Sequence, residues 1–408
     1  MITISESANF IKAFAFRDAL FRSVSLIGGS FTIAAISLLP GFGAKGLLIA
    51  GSIQLLLSAF LELPTSIIAD RFGRSLILRI SLFLKILVSA CLGLAIYFAS
   101  IGETQWVWYA FFFEAFLDAI SNTLVSGSYQ VSYLTQYERI TKNLDSPPPL
   151  FLRSFKYGIK LRFILPICFV LFIVLLFQFS EAAHFNLYHC SYVILGFVVL
   201  IRLFLFYIVN ADFRNIDPIT DKTKTGMLAG LKEVLAVVAT KKSIFVLYSL
   251  AALFNFIGFL YLTGQAIKLL EPMGFGSSSM WLAAIGTGVL IYLLRTSAVV
   301  WLLPRLSKNF INIIIPFLGF IAFQGGIFLA GASWIFESSI IKYIFFVTLT
   351  TTLFVISDAL SKSIESSLTV HVKSEYKTTW LGLGNTGAYL VFGLLSAVIS
   401  KYLFIQTS

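Results

Sequence analysis

Glu114 and Asp118 stand one helical turn apart in the run FFFEAFLDAISN. Ser121 and Asn122 continue the same stripe, while Phe112, Phe116 and Ile120 fall on other faces. An acid held at membrane depth without a counter-charge can load and release a proton as its surroundings change. A hydrolytic acid–base pair is the other chemistry two carboxyls can do, but the chain has no phosphate-binding loop, no HExxH and no CxxC to go with it. Proton relay suits these residues better, and no enzyme activity is expected.

Several other groups share that depth. At 1.5 Å per residue, Lys85 lies ~15 Å in from one end of its own apolar segment, level with Asp118 on the antiparallel neighbour. An ion pair between them is expected. Glu114 lies nearer the opposite side with no obvious partner, which makes it the expected proton carrier, with Asp118 the second proton-coupling group. Arg202 sits mid-depth in a sixth apolar segment. With Lys85 it could bind an anionic or zwitterionic solute, or it could pair with Asp118 or Glu114. Asn255 is an isolated polar residue, either a solute contact or a bond to a neighbouring helix. Arg295 and Asp358 lie towards the same ends of their segments and read as a gate pair between helices. Arg17, Asp18 and Arg22 are expected to snorkel to the interface.

The elements that must position these residues are membrane helices. The chain is 58% hydrophobic and only 12% charged, with a mean hydropathy of +0.91, against roughly 25% charged residues in a soluble domain. Apolar stretches long enough to cross a ~30 Å hydrocarbon core recur throughout. Spans are expected near 17–40, 46–68, 75–99, 106–128, 163–180, 190–210, 244–264, 280–303, 310–331, 340–359 and 379–402. With the amino terminus in the cytoplasm, the loops on that side hold nearly all the loop lysines and arginines. The opposite loops hold only Lys45 and Lys268 before the carboxyl-terminal tail. The net charge of +11 is thus a topology signal, and no nucleic-acid partner is needed. No cleavable leader is expected; the first span serves as the targeting signal.

The longest polar interruption, at 211–243, divides the chain into a first bundle (1–210) and a second (244–408). Met227, Leu228, Leu231, Val234, Leu235 and Val238 within it have the spacing of an amphipathic surface helix. A triple proline at 147–149 interrupts any helix in an earlier loop. Cys91, Cys168 and Cys190 are scattered in or beside apolar segments and read as small core residues. His184, His189 and Cys190 have only loose metal-like spacing, so no metal site and no cofactor are expected.

Between the second and third spans lies ELPTSIIADRFGRS, where Glu62, Asp70, Arg71 and Arg74 crowd between two apolar runs. Asp70, Arg71, Gly73 and Arg74 match the loop signature G-x-x-x-D-[RK]-x-G-[RK]-[RK] of the major facilitator superfamily of secondary transporters, which the chain resembles. Ser66 and Ser75 depart from its first glycine and last basic position. With Glu62, Pro64, Thr65 and Ala69 the fuller string resembles one bacterial branch of that superfamily. Glu114, Ala115, Ser126, Gly127 and Tyr133, and the stretch EYKTTWLGLGN, are similar to its fourth and eleventh spans.

The resemblance implies an all-α polytopic membrane protein with a two-bundle fold of about 11–12 transmembrane helices; eleven spans are counted against a family norm of twelve, so the twelfth is missing or the second half divides differently. It implies that Glu62, Asp70, Arg71, Gly73 and Arg74 form a latch or gate between bundles, beside the separate gate pair read from the depth of Arg295 and Asp358. It also implies a monomer in a bacterial cytoplasmic membrane that moves a small solute by alternating access, as proton-coupled export or, alternatively, as proton-coupled import. A scaffold or receptor built on the same fold is the reading from another class.

Overall fold

In the bilayer a chain must satisfy its own backbone groups, and helices do so within one segment. The structure, a computed structural model, describes residues 4–38, 43–126, 128–141, 150–182, 187–213, 285–300, 339–371 and 378–383. It also describes residues 385–386 and scattered positions between 232 and 302. Among the described residues there is no strand. The helices are α1 (Ile4–Leu38), α2 (Gly43–Phe72), α3 (Arg74–Ser100), α4 (Thr104–Val125), α5 (Ser128–Thr141), α6 (Leu150–Ala182) and α7 (Leu187–Phe213). After these come α8 (Ile285–Val300) and α9 (Ser339–His371). Among the described residues, five stretches are long and apolar enough to cross a membrane: Ser52–Phe72, Arg74–Ser100, Lys156–Leu176, Tyr188–Phe213 and Ile340–Leu360. Large apolar side chains such as Phe60, Phe113, Leu175 and Leu200 face outward, the surface a hydrocarbon solvent requires.

Helices α1 and α3 to α7 pack through two separate apolar clusters, to which α2 adds no described residue. One joins Leu92, Ile96, Val107, Phe111, Phe169 and Ile194, with Ile27 and Ile285. The other joins Leu20, Val24, Leu78, Leu82, Tyr129, Tyr133, Leu205 and Val209. α3 and α7, which contribute to both clusters, carry polar residues between them. On α3 these are Lys85 and Ser89, and on α7 Arg202; α4 holds Glu114 and Asp118 just beyond Phe111. The result is a polar layer between two dry ones. α3 packs most extensively on α4, with α2 on the other side of α4 and α7 beside α3.

The helices exceed the expected spans. α1 begins at Ile4 and α6 at Leu150, directly after the three prolines, because backbone beyond the apolar core still gains its internal hydrogen bonds. The fourth span also differs from expectation. α4 stops at Val125, Ser126 is in extended conformation, and a second helix, α5, runs on from Ser128. α2 and α3 meet at Gly73, whose φ of 103° is a backbone state that L side chains avoid. The triple proline, most of the amphipathic linker, His184, the expected ninth span and the end of the chain lie outside the described residues.

Candidate functional site

In the polar layer, Lys85 of α3 forms an ion pair with Asp118 of α4. Its ammonium also donates to Asn122 Oδ1 (2.6 Å), and Asn122 Nδ2 in turn donates to Asp118 Oδ2 (2.7 Å). Gln54 of α2 donates to the same carboxylate from the opposite side. Asp118 is thus the hub of three helices. The expected Lys85–Asp118 pair is present, and Gln54 is a partner that sequence reading missed, since one glutamine in an apolar helix carries no spacing signal. Ser121, placed on the same stripe, instead ties α4 to α3 through Ser81, its hydroxyl donating to the Ser81 carbonyl at 3.0 Å.

Arg202 pairs with neither acid. Its guanidinium donates to the Lys85 carbonyl (2.6 Å) and to the Ser89 hydroxyl, both neutral acceptors on α3. It lies so close over α1 that a Cβ at Gly28 would come within 2.5 Å of its Nη2. Glu114, 5% exposed, is buried one turn from Asp118, within electrostatic reach of Lys85 and Arg202. Two acids and two bases therefore share one layer, with the Lys85–Asp118 pair closed and Arg202 held by neutral groups. Asn255 is helical and half-buried.

The second polar region is a seam between α2, α4 and the helical residues 378–386. Asp70 Oδ2 accepts from both the backbone N–H (2.8 Å) and the hydroxyl (2.7 Å) of Thr379, so it ties α2 to the helical residues 378–386 of the second bundle and offers a backbone N–H the negative charge a helix start favours. Arg74 bonds Asp70 (2.8 Å), the Thr378 hydroxyl (2.9 Å) and Thr135 of α5 (3.2 Å). Deeper in the seam, Asn385 Nδ2 donates to Glu62 Oε1 (3.0 Å) and to the Ser126 hydroxyl (2.9 Å). Gly382 touches Ser66, and a Cβ there would lie 2.1 Å from Ser66 Oγ. Glu62, Asp70, Gly73 and Arg74 thus fall on or beside one contact. Arg71 is exposed over the Phe72 ring and has no bond across this contact among the described residues. Asn385 and Thr379 were not singled out from sequence; only their strongly polar partners carried a signal.

Elsewhere, Arg295 and Asp358 form a bidentate pair between α8 and α9 (2.5 and 2.7 Å), with Arg295 also over the Phe354 ring. Arg17, Asp18 and Arg22 do not simply reach for the interface as expected. Asp18 is buried between Arg22 and Arg162 of α6, and Arg17 pairs with Asp212 of α7, which also accepts from the Tyr133 hydroxyl at 2.7 Å. Partners that come alongside from α6 and α7 draw these charges inward.

No family model and no curated protein sequence matches the chain. Its backbone does match solved structures over nearly its whole length. One is the E. coli fucose:proton symporter, at 12% identity and a TM-score of 0.53 with both chains fully covered; a second structure of that protein is described as a Major Facilitator Superfamily transporter. The fold is that of the major facilitator transporters. The human organic anion transporter matches at 14% identity and a TM-score of 0.57, covering 96% of this chain and 93% of that one. A bacterial homologue of the iron transporter ferroportin, in an outward-facing state, matches at 14% and 0.52, covering 96% and 98%. At such identities the likeness is one of fold: two helical bundles about a central layer.

Proposed function

We propose that the protein is a secondary active transporter that moves a small organic anion across a bacterial cytoplasmic membrane by alternating access, coupled to protons. One observation carries the substrate class. Arg202 is a buried cation whose bonds among the described residues go to a carbonyl and a hydroxyl, leaving its charge for a solute, while Lys85, the other mid-layer cation among those residues, is already paired. Glu114, next to that pair, is the proton carrier, and Asp118 moves its charge between Lys85 and the proton cycle. Asn255 is a solute contact from the second bundle. Asp70, Gly73 and Arg74, with Glu62, close one end, and Arg295 with Asp358 gates the second bundle; Arg71 holds the loop at the membrane surface. The amino terminus is cytoplasmic, the working unit is a monomer in lipid, and no reaction is catalysed.

Export against proton entry is the first reading, supported by the loop string from Glu62 to Arg74 and its bacterial branch. Proton-driven uptake is the second, supported by the likeness to the fucose:proton symporter. The test is counterflow and pH-driven flux of a panel of small carboxylates, phosphates and sulfonates in liposomes holding the purified protein. Arg202→Gln should cut anion counterflow at least tenfold. Glu114→Gln should keep counterflow and lose accumulation driven by a pH gradient. Anion flux that is indifferent to Arg202→Gln would sink the substrate reading. Comparing small molecules in the medium and cytoplasm of expressing cells fixes the direction.

A further inference from the structure

Glu62 is 0% exposed, and it sits where the two bundles touch. Oε1 accepts from Asn385 of the second bundle at 3.0 Å, while Oε2 is buried without a hydrogen-bond partner. One turn on, the Ser66 hydroxyl is likewise buried without a partner beneath Gly382. The groups bonded at this point, Asn385 and Ser126, do not ionise. Ionisable groups on the packed elements stand well away. On α4, Glu114 and Asp118 lie towards the mid-layer, Asp118 being bound by Gln54 two turns back along α2. Asp70 lies towards the far end of α2, about 12 Å along the axis, and its partner Arg74 opens α3. No cation meets this carboxyl among the described residues.

We propose that Glu62 is a second proton carrier, one that loads when the bundles close at the Asp70 end and unloads when they part. A carboxylate in a dry contact with no cation is strongly disfavoured, so the closed seam takes the neutral acid. Neutral, the acid still accepts from Asn385 through its carbonyl oxygen. When the bundles separate, water reaches the α2 face, the acid gives up its proton there, and the anion resists reclosure. The inference rests on the alternating-access reading but needs no solute. It makes the seam a coupling device, so that a proton must be bound for this end to shut.

The sign follows from linkage: the closed form holds one more proton than the open form, so raising the pH opens this end. Where Glu62 titrates, the ratio of open to closed should rise by about tenfold per pH unit from this group alone. The experiment is pulsed spin-label distance measurement between Phe72→Cys and Lys362→Cys on the purified, otherwise cysteine-free protein in lipid nanodiscs, from pH 5 to 9. In the parent protein the long-distance population should grow with pH. Glu62→Gln keeps the bond to Asn385 and removes the proton, and should lose that slope with the closed distance retained throughout. Glu62→Asp, still ionisable, should keep the slope, which separates a proton role from mere packing. A Glu62→Gln slope equal to the parent's, or a slope abolished by Glu114→Gln but not by Glu62→Gln, would overturn the proposal. A slope lost only in Glu62→Gln supports it even if no anion flux is found, in which case the transport reading fails by itself.

Discussion

At the scale of single residues, the mid-layer is held by partners more than by burial. Asp118 takes hydrogen bonds from Lys85, Asn122 and Gln54, so removing the cation leaves an acid with only neutral donors. Lys85→Met should lower stability by roughly 2 kcal/mol, read as a fall in melting temperature in detergent, and Asp118→Asn in the same chain should recover part of it. Gly28 supplies a second prediction. Its missing side chain is the room that Arg202 occupies, since a Cβ would stand 2.5 Å from Nη2. Gly28→Ala should therefore leave a folded protein with anion flux reduced at least as much as Arg202→Gln reduces it. A variant with normal flux would show that the guanidinium works from some other position. Lys85, Asp118 and Arg202 were legible in the sequence because charge is costly at membrane depth and so announces itself. Gln54, Ser89 and Asn385 were not, because a neutral polar side chain in a membrane helix bonds a neighbour far more often than it marks a site.

At the scale of elements, the turn at Gly73 and the helical residues 378–386 decide how the Asp70 end closes. A side chain at φ 103° is strained, so Gly73→Ala should cost roughly 1–2 kcal/mol, measured by thermal unfolding, without touching any group of the mid-layer. Asp70 does two jobs with one carboxylate: it pairs with Arg74 and holds the backbone N–H and hydroxyl of Thr379. Asp70→Asn keeps one acceptor oxygen but loses the charge that complements the helix end. It should shift the spin-label distance towards the open form, and Thr379→Val should do so less, since the backbone N–H bond survives. Helix positions were readable from hydropathy, but their ends were not. Hydropathy reports the hydrocarbon slab, while α1, α6 and α9 continue past it as helix for backbone reasons that composition does not encode. The break between α4 and α5 at Ser126 was equally hidden, although it places that hydroxyl against Asn385.

At the scale of the whole molecule, two bundles meet along a seam where small residues allow close approach. Gly382 against Ser66 leaves no room for a larger group. Gly382→Leu should wedge this end apart, giving long spin-label distances at every pH and blocking counterflow while the protein still folds. Normal closure in that variant would place the moving contact elsewhere.

The polar layer between the two apolar clusters has an electrical consequence. Apolar clusters on both sides would act as the insulators of a capacitor, so that a voltage across the membrane would fall largely over them and the layer would sit part-way down the field. With Glu114 and Asp118 balanced by Lys85 and Arg202, the layer is neutral overall and feels little of that voltage. With one acid protonated it carries a unit charge, and each unit carried across a 100 mV potential is worth about 2.3 kcal/mol. Proton loading would then set how strongly the cell's own battery drives the cycle.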